Sequence, residues 1–319
     1  MLARTADSLY WLARYIERAD YTARILDATA RLVALPRAYG DTGSEWESAL
    51  KSTDVIEAFK ATHDTIDEAS VVRYLVFAPD NPSSIYNCIE YARSNARSVR
   101  TALTIEAWEA INTAWLELKK FEKSRSVKNR VDSMELRRFL DFVKKVALDF
   151  DGSALRTMLR TDGFWFMRLG HYIEKADNTA RILDVKYHVL LPESETIGGP
   201  LDYFQWTAIL RSVSAVTAYH WVYRQSVKPW HVADLLILEA AMPRSLVACY
   251  ENIAQLLDSI SRFYGLQGAS QRQARATMMQ LQNASIREIF QSGLHEFLEE
   301  FIASNSTLGD SIAKQYLIA

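Results

Sequence analysis

The chain is 319 residues long, with 37 Lys+Arg against 39 Asp+Glu and a formal net charge of −2, so it has no global field that would draw nucleic acid or an anionic membrane to it. Only 11 glycines and 7 prolines stand against abundant Ala, Leu, Arg and Glu, which favours helix and works against sandwiches, barrels and glycine-turned α/β folds. The two cysteines, Cys88 and Cys249, exclude a disulfide framework and suit a reducing compartment.

The N-terminal run MLARTADSLYWLARY carries Asp7 and Arg14 where an export signal needs an unbroken apolar stretch, and no apolar run of about 18 residues follows anywhere. The expectation is a cytoplasmic protein that crosses no membrane. Residues 6–34 place Leu9, Leu12, Ile16, Ala19, Ala23 and Leu26 on one face, predicting an amphipathic helix stopped by Pro36 and Gly40. A second periodic segment covers 45–68. Asn81 followed by Pro82 predicts an N-cap and first turn opening a long helix toward Trp108 or beyond. Further helical segments are predicted near 111–123, 132–149, 162–190, 202–225, 231–240, 243–264, 269–282 and 285–304. EKSRSVKNRVDS (122–133) and LPESETIGGP (191–200) read as connectors.

One phrase occurs twice. YIERADYTARILD (15–27) returns as YIEKADNTARILD (172–184), identical at eleven of thirteen positions and displaced by 157 residues. WESALKS from Trp46 resembles WTAILRS from Trp206, and NPSSIYNCIE (81–90) matches MPRSLVACYE (242–251), so the landmarks keep their order. The expectation is an all-α helical bundle built from two tandem-duplicated halves, 1–155 and 156–319, in a pseudo-twofold relation within one compact body.

At about 100° per residue, Glu17, Asp20, Arg24 and Asp27 share an arc of roughly 80° beside the apolar face, and Glu174, Asp177, Arg181 and Asp184 repeat it. Exposed ion pairs contribute only about 0–1 kcal/mol, so such a face has little reason to survive duplication unless it is buried or used. On a structural reading, Asp20–Arg24 is a favourable i, i+4 pair inside a helix interface, where losing one partner costs about 3–5 kcal/mol. On a functional reading, the two copies line a polar cleft able to hold a peptide, a phosphate or a metal.

Other chemistry finds less support. Six histidines occur without HExxH or the ExxH pairs of di-iron bundles; His171 with Glu174 and Asp184 with His188 are only helical neighbours, and no metal or cofactor is expected. GxSxG, Walker and GxGxxG motifs are absent from the sequence. Cys88 and Cys249 occupy equivalent repeat positions and read as small apolar side chains. Trp11, Trp108, Trp115 and Trp221 read as core.

With SLYWLARYIERADYTARILD, NPSSIYNCIEYARSNARSVR, EAWEAIN at 106–112 and HYIEKADNTARILD, the chain resembles the bacterial alpha-E domain family over nearly its whole length. The pair Glu17-Arg18 carries the resemblance, and its counterpart Glu174-Lys175 departs by one residue. The resemblance implies an all-helical fold and an association with circularly permuted ATP-grasp ligases and transglutaminase-like proteins, hence a role in a peptide-ligating or protein-modifying system. The expectation is an accessory helical protein that binds a ligase or its peptide substrate. The alternative is an enzyme acting on amide or peptide bonds, with Glu17 or Glu174 as general base and Arg24 or Arg181 binding an anionic group.

Overall fold

The computed structural model describes residues 1–34, 43–123, 133–188 and 199–317. The connectors at 122–133 and 191–200, and the stop residues Pro36 and Gly40, fall largely outside that range. All regular structure among the described residues is helical: fifteen α-helices and one short 3-10 turn.

Two long helices form the centre, α1 (Ala3–Val33) and α8 (Asp162–His188). They come so close that a Cβ on Gly170 would lie 2.2 Å from the Tyr10 carbonyl oxygen, which is why a residue without a side chain stands at the crossing. The helices α5 (Ile85–Ser98) and α7 (Ser133–Thr157) flank α1, with α6 (Ile105–Lys123) packed across both. In the same way α12 (Leu246–Tyr264) and α15 (Leu294–Tyr316) flank α8, with α13 (Ala269–Asn283) across them. The helices α2 (Gly43–Ser52) and α9 (Pro200–Ser212) each touch both central helices. Shorter helices close the remaining side: α3 (Ile56–Lys60), α4 (Glu68–Phe77), α10 (Val216–Tyr223), α11 (Pro229–Ile237) and α14 (Ile286–Ser292).

Three apolar clusters make the core, and α1 contributes to all of them: Tyr10 and Ile25 to one, Ala23 and Leu26 to the second, Leu9 and Leu12 to the third. A helix surrounded in this way has no broad solvent face, so the amphipathic expectation is only half right. Its charged side is covered as well, and the cover is the charged side of α8.

Several helix ends differ from expectation. The N-cap of α5 is Ser84, whose hydroxyl accepts from Asn87 N at 3.3 Å, and Ser245 does the same for α12, accepting from Ala248 N at 3.1 Å. Asn81 instead folds the approach, its Oδ1 accepting from Ser83 N while its Nδ2 donates to the Tyr74 carbonyl. The stretch toward Trp108 is two helices, because α5 stops at Ser98 and Leu103 is extended at ψ 150° before α6 begins. The segments 45–68 and 202–225 are each broken in the same fashion, at Asp54 (φ 56°) and Ser214 (φ 59°), left-handed positions without glycine. Gly293 (φ 105°) splits 285–304 into α14 and α15.

Candidate functional site

The repeated phrase lies along the face where α1 meets α8. Glu174 of α8 is 3% exposed and receives Arg14 Nε at 2.7 Å and Arg18 Nε at 2.6 Å, both from α1. Burial pushes its carboxyl up, but the guanidinium groups of Arg18 and Arg14 outweigh burial and hold it at about 2. In the opposite direction, Glu17 of α1 meets His171 Nδ1 of α8 at 3.4 Å. Residues 171 and 175 follow 14 and 18 by the same 157 positions that separate Glu174 from Glu17. Each glutamate therefore faces the basic residues three positions before and one position after its counterpart.

Glu17 and Asp20 share a further cation. Arg244, in the turn entering α12, reaches Glu17 Oε1 at 2.9 Å and Asp20 Oδ2 at 2.8 Å. Arg24 closes on Asp20 at 2.7 Å and donates Nη1 to the Ser212 carbonyl at 2.7 Å, satisfying an orphan acceptor at the end of α9. Tyr21 serves α2 in a similar way, its hydroxyl donating to the Ser52 carbonyl at 2.8 Å. Asn178 Nδ2 donates to the Glu17 carbonyl at 3.3 Å, adding a neutral tie between the helices.

Around these pairs burial governs the protonation of the neighbouring groups. His171 is held well below its ordinary value by burial and by Lys175, Arg168 and Arg244, so it is neutral near pH 7. The Lys175 amine is lowered by burial, against the pull of Glu17 and with a further push from Arg244. Cys88, beside Arg18, and Cys249, beside Lys175, are both fully buried, and burial pushes both thiols up to about 12, leaving no thiolate for nucleophilic or redox work. The hole lined by Glu17, Asp151, Arg168 and His171 measures about 10 Å³, the room of a single water. No substrate fits there.

Of the ten residues the sequence singled out, Glu17, Arg18, Asp20, Arg24 and Glu174 form this buried seam, and Lys175 borders it. Asp177 and Arg181 pair at 2.7 Å, and Arg181 extends toward Asp54 just past α2 at 3.9 Å. Asp27 and Asp184 leave the seam: Asp27 binds Arg31 and Lys144 of α7, each at 3.2 Å, and Asp184 binds His295 of α15 at 2.6 Å. The side chain of His188 lies outside the described residues. Sequence reasoning missed Arg14 and Arg244. Arg14 was visible as one helical turn before Arg18, whereas Arg244 has Ser83 at the matching place in the first half, so the repeat gave no hint of it. Trp221, expected in the core, is 78% exposed.

Among the described residues no group of three or more His, Cys, Asp or Glu is arranged to hold a metal ion, and no helix is long and apolar enough to cross a membrane. The seam binds one helix to another. Guanidinium groups hold Glu174, Glu17 and one oxygen of Asp20, while Asp20 Oδ1 and His171 Nε2 are buried without a hydrogen-bond partner.

Comparison with known proteins adds a family. An uncharacterised protein of Mycobacterium bovis and two of Mycobacterium tuberculosis strains are each 25% identical to the chain over 334 aligned positions, covering 94% of it and 35% of each relative. The chain thus spans about a third of the length of the curated relatives it matches. No solved structure matches it. The Alpha-E family, described as a predicted alpha-helical domain with a conserved ER motif, matches residues 1–317. The only Glu-Arg dipeptide in the sequence is Glu17-Arg18, whose two side chains lie in the seam just described. The chain belongs to the Alpha-E family.

Proposed function

We propose that this is a non-catalytic helical binding protein, bacterial and cytoplasmic, that serves a peptide-ligating or protein-modifying system by associating with an ATP-grasp-type ligase and, where one is encoded alongside, a transglutaminase-like protein. The observation that carries the non-catalytic part is the state of the candidate bases. Glu174 is locked between two guanidinium groups at about 2, and Glu17 is shared between Arg244 and His171 in a space without room for a substrate. A general base works best with a value near the operating pH and within reach of the proton it removes; Glu174 is held far below that range, and Glu17 has no space beside it for a substrate. The ligase partner comes from the family resemblance; the structure contributes the preference for binding over catalysis.

The same reading takes the body to be two tandem halves about a pseudo-twofold axis, with the seam as their clasp. Three correspondences support it. Glu17 and Glu174 each look across at the positions flanking the other. Ser84 and Ser245 cap equivalent helices. Asp54 and Ser214, 160 positions apart, take the same left-handed turn after α2 and α9.

The test is affinity capture with an ATP-grasp-type ligase from the same organism, with ATP, with ADP and without nucleotide. Association at about 10 μM or tighter in at least one condition is expected, about −7 kcal/mol of binding free energy. Absence of association in all three overturns the partner, and amide turnover lost in Glu17→Gln with an unchanged melting temperature overturns the non-catalytic reading.

A further inference from the structure

A groove of about 480 Å³ runs between α6 and α7, well away from the seam. Its walls are two regular helix faces: 106, 109, 110, 113, 114 and 117 on α6 stand at i, i+3, i+4, i+7, i+8 and i+11, and 142, 145, 146, 149 and 153 on α7 keep the same rhythm. At about 1.5 Å per residue the walls run for roughly 16 Å, three helical turns. The floor is apolar and shallow-sided, formed by Ala110, Ala114, Phe142 and Val146, so a helix backbone can approach closely.

The rim is acidic. Glu106, Glu109, Glu117 and Asp149 border the groove against one cation, Lys145, and that ammonium is held by Asp149. Glu117 is engaged by Lys120 at 2.5 Å. Glu106 and Glu109 have no ion-pair partner among the described residues, and both are exposed on successive turns of one wall. An apolar trough edged on one side by unneutralised carboxylates complements an amphipathic helix whose apolar stripe is flanked by Lys or Arg, the helix-in-groove mode of recognition.

We infer that the α6–α7 groove docks a cationic amphipathic helix of a partner protein, laid alongside α6 with its basic flank on Glu106 and Glu109. This inference deepens the binding reading above and rests on it. The partner helix supplies the third member of a three-helix packing, and its register is set by the spacing of the two carboxylates.

Fluorescence anisotropy with two synthetic peptides of about four turns tests it, one with a Leu/Ala stripe flanked by lysines and one with the same stripe flanked by glutamates. The lysine peptide is expected to bind, with at least about tenfold weakening for the glutamate peptide and for the Glu106→Lys/Glu109→Lys variant, a ratio of about 1.4 kcal/mol. Restored binding of the glutamate peptide to that variant supports the charge pairing, and loss in Thr113→Trp, which fills the trough from an exposed position, supports the site; melting temperatures check that each variant folds. Equal binding of the two peptides, binding unaffected by Thr113→Trp, or no binding of the lysine peptide overturns the inference. So does a concentration-dependent dimer abolished by Thr113→Trp, which would assign the groove to a second copy of the chain. In the capture experiment with the ATP-grasp protein, equal recovery by wild type and Glu106→Lys/Glu109→Lys removes the groove and leaves the binding reading standing, whereas no recovery by wild type removes the reading itself.

Discussion

At the scale of single residues, burial decides which charges matter. Glu174 is 3% exposed with two cations from the facing helix on it, whereas Asp27 is 14% exposed. Removing the Glu174 charge strands Arg14 and Arg18 in a covered interface, so Glu174→Gln is expected to cost about 3 kcal/mol, while Asp27→Asn costs no more than about 1 kcal/mol. Paired urea titrations of the two variants check this, and equal losses would return the seam to ordinary surface electrostatics. The acid limb of stability follows from the same groups. Burial alone would raise Glu174, yet Arg18 and Arg14 bring it from 4.5 to about 2, so its contribution is complete above 4.5 and disappears as pH falls through 4.5 toward 2. That window is worth about 3 kcal/mol. His171 acts earlier: held well below 6.5 when folded, it takes up a proton only on unfolding, so stability begins to fall once pH drops below 6.5. Unfolding free energy measured against pH is expected to carry a decline below 6.5 and a further decline below 4.5, the first smaller in His171→Gln. A first stage unchanged in that variant removes His171 from the account.

At the scale of elements, the crossing of α1 and α8 depends on Gly170. Adding a methyl there drives a Cβ to 2.2 Å from the Tyr10 carbonyl oxygen, an atom of backbone that cannot swing aside, so the helices must part and the seam with them. Gly170→Ala is expected to lose about 3 kcal/mol or more. Gly152→Ala on α7 is the contrast: its Cβ meets nothing within 4 Å, and the change should stabilise by up to about 1 kcal/mol. Thermal melts of the pair give the answer, and a neutral Gly170→Ala would mean that the helix contact is looser than it stands. The elements were legible where periodicity was long. The run 162–190 contains α8 and 243–264 contains α12, because three-and-four spacing over many turns leaves no other way to bury those residues. The breaks at Asp54 and Ser214 were not legible, since sequence reading looks to glycine and proline for left-handed turns and these positions use neither. In the site, Glu17, Asp20, Arg24 and Glu174 were legible because they recur at helical spacing. Arg244 was not, because it arrives from a turn more than two hundred residues away in the chain, where no periodicity links it to the acids it holds.

At the scale of the whole molecule, the question is whether 1–155 and 156–319 are separable. One apolar cluster joins Ala6, Tyr10, Tyr21 and Ile25 of α1 to Leu169, Ile173 and Leu183 of α8 and to the helices that follow, so the first segment completes the core of the second. The seam adds a polar condition: without the second segment Glu17 and Asp20 lose Arg244, and without the first Glu174 loses Arg14 and Arg18. A fragment on its own would expose an apolar face interrupted by charges of both signs that have lost their partners, which favours neither burial nor full hydration. Expressed separately, each segment is therefore expected to keep helical circular dichroism but to lack a cooperative thermal transition. Mixing the two should restore the transition together with a one-to-one complex on gel filtration. The restored complex should tolerate salt, because its clasp is covered and screening acts weakly on buried pairs. Cooperative melting of either segment alone, at the temperature of the intact chain, would show that the contact between α1 and α8 joins two finished domains and does not build one.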